Sequence, residues 1–296
     1  MRKFVKSFLG LSLSTIIMFS GTTLAASSRI EIVVNDSPVT TDIAPYLKQG
    51  TTIVPLNVVQ QIPGINVKWD NASKTVTITR NGETITLVAG EKTATIGSQK
   101  VSLAVSSTLE KGRVMVPLRF IAESADAHVI WNAKIRTVYV AKASEELTAK
   151  LASTNLAEAR SAAVQFPRTS QLKKMDVQNA SQNQDYFFPE GLSTSFFIAG
   201  GNGVSYYKVT GNHSEEVWSA KLDTASKSSS SLFFLPYKVV DQDGEKPSIN
   251  KRVVFYHLML PIMEATYGFV ETNGEATTIG QKGMQLNQFF VIEQEK

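Results

Sequence analysis

Apolar and polar positions alternate in short runs along the chain, and between Ile30 and Lys142 the runs recur. In the later of two similar stretches, Gly112-Arg113 reads as a turn and Val114-Met115-Val116 as a short strand. Pro117 stands where a helix can start, since its missing N–H costs nothing there. Leu118, Ile121 and Ala122 give that helix an apolar stripe, with Arg119 and Glu123 at i,i+4 spacing. Val129 and Trp131 then alternate with His128 and Ile130, and Thr137 to Val140 returns as a partner strand after a turn. The same order occurs 62 residues earlier: Val54-Pro55-Leu56 matches Val116-Pro117-Leu118, Val67 matches Val129, Trp69 matches Trp131, and Thr75-Val76 matches Thr137-Val138. The offset never slips, so each copy reads as one supersecondary unit, spanning 33–80 and 95–142. Runs at Thr84 to Leu87 and Thr93 to Ile96 add strands between them. The expectation is an α+β unit of two similar halves over 30–142.

The segment Gly112-Arg113-Val114-Met115-Val116-Pro117-Leu118-Arg119-Phe120-Ile121-Ala122-Glu123, followed by Val129-Ile130-Trp131-Asn132 and Arg136-Thr137-Val138, closely resembles the copper amine oxidase N-terminal, or stalk, domain family. Pro55, Trp69, Pro117, Arg119, Glu123 and Trp131 carry the resemblance and are expected to hold structure. The earlier copy departs from the pattern, with Asn57 in place of the arginine, Gln60-Gln61 in place of Ala-Glu, and Ile62-Pro63-Gly64 shortening the helix. The later copy has Ser124-Ala125-Asp126 where Leu-Gly is customary. The resemblance implies a noncatalytic appendage of the kind found in exported and cell-envelope proteins of Gram-positive bacteria. Amine oxidation itself needs a large separate domain with a modified tyrosine and three histidine ligands. His128, His213 and His257 are dispersed, with no His-x-His pair.

Ala143 to Phe166 lacks glycine and proline, and Ser144 with Glu145-Glu146 suits a helix start, so 143–166 reads as a helical connector. From 167 to 296 the signal is mainly antiparallel β. Gly200-Gly201-Asn202-Gly203 turns a hairpin, Ala225 to Ser231 reads as a serine-rich loop, and Gln288 to Glu293 as a closing strand. Of the 26 aromatic residues, 18 lie after residue 150, and six doublets such as Phe196-Phe197 and Tyr206-Tyr207 send neighbouring rings to opposite faces of a strand. Either both faces are covered, the plainer reading, or one shows rings to solvent. Tyr206, Tyr207 and Trp218 are the candidates for stacking on a ligand in the second case.

Composition narrows the chemistry. With 43% hydrophobic residues and 19% charged, this is a folded chain. It has no cysteine, which excludes disulfides, cysteine-ligated metals and a thiol nucleophile. Arg2, Lys3 and Lys6, the apolar run Phe8 to Phe19 and the small residues to Ala26 read as a signal peptide over 1–26, its apolar run too short to span a bilayer. Its removal takes the formal charge from +4 to +1, too little for a nucleic-acid partner, and leaves no membrane span. Catalytic motifs are missing: there is no G-x-S-x-G, no Walker loop and no H-E-x-x-H. Asp241, Asp243 and Glu245 alternate in a way open to calcium, although a charged hairpin loop is the plainer reading, and no cofactor is expected. Glu215, Glu216 and Glu264 are the acids available to a glycan hydrolase, and His257 within Phe255 to Leu258 reads as a core or rim residue. The sequence thus favours an exported, noncatalytic envelope or extracellular protein. Its stalk domain would position a C-terminal domain that binds cell-wall glycan or another envelope protein. A secreted hydrolase is the alternative.

Overall fold

Pro55 and Pro117 end strands rather than opening helices: each takes the extended N-cap position, and the helices α1 (Leu56–Val59) and α2 (Leu118–Ser124) begin one residue later. The structure is a computed structural model and describes residues 29–295, apart from 81, 179–182 and 286. The signal-peptide segment lies outside the described residues. Among the described residues strands account for 50% and helices for 11%, so the fold is mostly β, as expected of the second half, with less helix than the α+β reading of the first half implies. The physical reason is visible in α1, which Ile62-Pro63-Gly64 confines to a single turn, and in α2, which ends after two.

In the first half, elements stand 62 residues apart. Tyr46–Lys48 and Thr51–Pro55 correspond to Thr108–Glu110 and Arg113–Pro117, and the four make one sheet with Thr51–Pro55 antiparallel to Arg113–Pro117 at its centre. Asn66–Asp70 and Thr75–Arg80 correspond to His128–Asn132 and Thr137–Ala141 but enter different sheets. The first pair continues into Glu83–Val88, Thr93–Ile96 and Gln99–Ser102, whereas the second accepts Glu31–Val34 in parallel. Alternate residues of these strands fill one core, in which Val54, Val116, Val76, Val138, Leu118 and Ile121 are buried and Trp69 and Trp131 pack at the margin.

The expected single connector is two helices, α3 (Glu145–Leu151) and α4 (Leu156–Ala163). Ser144 caps the first as expected, its side chain accepting from Leu147 N. Asn155 caps the second by accepting from Ala157 N, and this local hydrogen bond breaks the run.

The second half is one large sheet in the order Arg168–Ser170, His213–Leu232, Gly203–Thr210, Ser195–Gly200, Asn183–Pro189, Val253–Met259, Glu264–Val270, Ala276–Gly283. Leu235–Gly244 pairs with His213–Leu232, and only Arg168–Ser170 joins in parallel among these described strands. The serine-rich run expected as a loop is instead part of the 20-residue strand His213–Leu232, held there to Leu235–Gly244 by Lys227 opposite Tyr237, with a register shift on either side. The expected closing strand is irregular and ends in a 3-10 turn at Glu293–Glu295. Aromatic doublets divide between two clusters. Phe187, Phe197, Tyr206 and Trp218 enter one, and Tyr186, Phe188, Phe196 and Tyr207 the other, which α4 and Ile292 cover. Both faces of the sheet are therefore largely covered.

Candidate functional site

The outward residues of the sheet holding Glu31–Val34 and Thr137–Ala141 face the second half. Glu31 and Val33 stand beside Thr137 and Tyr139 in register, while their neighbours Ile32, Val34, Val138 and Val140 point into the first core. Against this face lies the far half of the chain, held at several points. Buried Asn132 donates from Nδ2 to Ser170 O at 3.0 Å and Leu172 O at 2.7 Å. Arg168 N donates to Asp36 at 2.8 Å, and Ala143 N to Asn212 O at 2.8 Å. Between these anchors the two halves leave a cleft of about 690 Å³. Val33, Leu172 and Ile198 give it apolar walls, and Glu31, Tyr139, Ser205 and Glu216 supply hydrogen-bonding groups from both halves. The half-buried Tyr139 phenol is held above its ordinary range by burial, then by the nearby Glu216 and Glu31 carboxylates. Burial, with Glu216 next, does the same for Tyr207.

The three stacking candidates fare differently. Trp218 is fully buried, with its indole N–H donating to Gln242 Oε1 at 3.1 Å, and Tyr206 is buried with its ring 4.5 Å from that of Phe197. Neither offers a face to a ligand, because the hairpin tip at Leu232, Phe234 and Leu235 covers that side. Tyr207 is half-buried and stacks on Phe196 at 5.4 Å. Of the calcium candidates, Asp241 and Asp243 lie on strand Leu235–Gly244 and Glu245 just beyond its end, and the first two are already matched: Asp241 by Lys173 Nζ at 2.6 Å, and Asp243 by Lys134 Nζ at 2.5 Å and Lys173 N at 2.7 Å. These bonds hold both carboxyls below their ordinary range. Among the described residues no cluster of three or more metal-ligating side chains forms, Glu245 included. Glu216 and Glu264 stand five strands apart in the sheet, roughly 24 Å along it at the usual interstrand spacing. Glu215 and Glu216 are adjacent on one strand, so these three acids do not make the close pair that glycoside hydrolysis uses. His257 pairs through Nδ1 with its cross-strand neighbour Asp185, whose hydrogen bond raises the imidazole above its ordinary range.

The motif residues of the first half line two smaller clefts of about 380 Å³ each. In one, Trp131, Leu118 and Arg119 face Gly50, Thr51 and Thr52. In the other, Trp69, Leu56 and Asn57 face Gly112, Arg113 and Val114. Each cleft joins the helix and tryptophan of one stretch to the turn of the other, so the Arg119 to Asn57 difference changes one rim and leaves the pairing intact. The expected Arg119–Glu123 ion pair is present at 3.7 Å, exposed at both ends. Residues 33–140 match the copper amine oxidase N-terminal domain. No curated protein matches the chain. The copper amine oxidase N-terminal domain thus supplies one wall of the large cleft, and residues beyond the match supply the other.

Two features carried no sequence signal. Arg160 and Glu295 form a fully buried bidentate pair, and His128 stacks on His213 across the junction. Both depend on chain segments far apart in sequence. No helix among the described residues is long and apolar enough to cross a membrane.

Proposed function

We propose that this is an exported, noncatalytic binding protein of the cell envelope or extracellular space. Its copper amine oxidase N-terminal domain, a two-repeat unit over 30–142, positions a C-terminal domain beginning near residue 167 through the connector of 143–166. Residues 1–26 are the signal peptide that directs export. The ligand is cell-wall glycan, held in the cleft between the two halves. One observation carries this reading: a cleft of about 690 Å³ whose two walls come from different halves and mix apolar surface with hydrogen-bonding groups. A sugar segment presents hydroxyls to groups such as Tyr139, Ser205 and Glu216, and aliphatic ring faces to Val33, Leu172 and Ile198. The separation of Glu216 from Glu264 supports binding over hydrolysis.

The test is cosedimentation of the chain from residue 27 onward with isolated Gram-positive cell walls. Ser205→Trp should fill the cleft and cut pellet binding at least tenfold, while Lys48→Ala, on the far sheet of the first half, should leave it unchanged. Equal binding by the Ser205→Trp protein, or none by the unaltered chain, would overturn the glycan reading.

A further inference from the structure

His128 opens a strand of the first half and His213 opens a strand of the second. Their rings stack with centroids 3.9 Å apart and planes 9° from parallel. Hydrogen bonds fix the same corner, from Ala143 N to Asn212 O and from Asn212 Nδ2 to Asp126 O. His213 is only 5% exposed, and its Nδ1 is buried without a hydrogen-bond partner.

A neutral imidazole tolerates this better than a charged one. One of its nitrogens is a bare acceptor, whereas an imidazolium makes both nitrogens donors and leaves Nδ1 with a buried N–H that nothing accepts. The new charge would also lie against the face of a second imidazole rather than a carboxylate. The charged groups on the surrounding elements are engaged elsewhere: Asp126 with Arg80 at 2.8 Å, Lys142 with Ala125 O at 2.7 Å, and Arg168 with Asp36 at 3.3 Å, while Glu215 stands opposite Lys208 in the ladder.

We propose that the His128–His213 stack is a proton-operated latch across the junction, closed while the His213 ring is neutral and released when that ring takes up a proton. For its effect on ligand the inference rests on the cleft reading above, since the same junction holds the cleft walls together. Acidification then loosens the walls and releases what lies between them. The sign follows from the buried ring. Burial, and then His128, push the His213 imidazole from its ordinary 6.5 down to about 4. The open form therefore binds the proton more readily, so the closed form loses its advantage as pH falls through the interval between these values and has lost it below the lower one.

The test is amide hydrogen exchange of the full chain from residue 27 onward at about pH 7 and pH 4, corrected for intrinsic exchange, with wall binding measured in parallel. Protection of the Ala143 N–H, which bridges the junction, should drop roughly 100-fold at the lower pH, the scale set by the difference between the two imidazole values. Core amides such as that of Val116 should change little. His213→Phe, which keeps a ring but cannot titrate, should hold Ala143 protected at both pH values. Should that variant fail to fold, nuclear magnetic resonance of the unaltered chain decides: a His213 ring titrating near its ordinary value overturns the latch. So does an Ala143 amide equally protected at both pH values, or a drop that persists in His213→Phe. If the latch behaves as described and walls are never bound, the glycan reading fails and the latch stands.

Discussion

Arg160 has no exposed surface, yet its guanidinium satisfies nearly all of its donors. It grips both oxygens of Glu295, at 2.5 and 2.7 Å, donates to Leu192 O at 3.0 Å and to Tyr256 at 3.2 Å, and lies 4.9 Å from the Phe188 ring centroid. The pair ties the end of the chain to α4 across one face of the large sheet. Desolvating two charges costs much of what their attraction returns, so the pair adds little net stability, whereas one partner left alone is costly. Arg160→Met should therefore lower stability by about 3–5 kcal/mol. Arg160→Met with Glu295→Leu should recover most of that, as read from urea unfolding midpoints. A double variant as unstable as the single one would show that the pair itself is the source of stability. From sequence, a charged residue beside Ala159 on a helix reads as solvated, because nothing local points to a partner 135 residues onward.

At the scale of elements, what was legible was local. The Ser144 cap and the Gly200-to-Gly203 hairpin rest on neighbours within a few residues, and both are present. Where strand pairing decides, propensity misleads, as in the serine-rich part of His213–Leu232 and the acidic part of Leu235–Gly244, which pair with each other. Gly268 is a further case, an interior strand glycine with a purpose that only pairing reveals. The ladder to Ala276–Gly283 shifts register between Tyr267 and Gly268, and the partner backbone comes so close that a Cβ on Gly268 would sit 1.9 Å from Thr277 O. Backbone cannot swing aside as a side chain can, so Gly268→Ala should cost at least about 2 kcal/mol. Gly283→Ala, in the same sheet with open space around it, should cost under about 1 kcal/mol. Similar melting temperatures for the two variants would contradict the close approach.

At the scale of the molecule, the question is what couples the two halves, and magnitudes separate the contributors. Lys134 reaches Asp243 across the junction in a partly exposed ion pair, worth under about 1 kcal/mol and weakened by salt. Asn132 differs because it is buried and fully engaged. Its Oδ1 accepts from Lys134 N at 3.0 Å and shapes the turn of its own half, while its Nδ2 donates to two carbonyls of the other. The sequence shows Asn132 only as the second residue of the Trp-Asn motif, since the carbonyls it serves are 38 and 40 residues away. The two functions can be split by chemistry. Asn132→Asp keeps an acceptor for the turn but sets a carboxylate against the Ser170 and Leu172 carbonyls, with no donor to offer them. Losing both bonds and placing acceptors face to face should cost about 2–4 kcal/mol, all of it at the junction. Calorimetry of the unaltered chain should then show one melting transition and the Asn132→Asp protein two, with the first half melting apart from the second. Lys134→Ala should keep the single transition. One transition in both variants would mean that the halves are joined by their apolar contacts, and that Asn132 only aligns them.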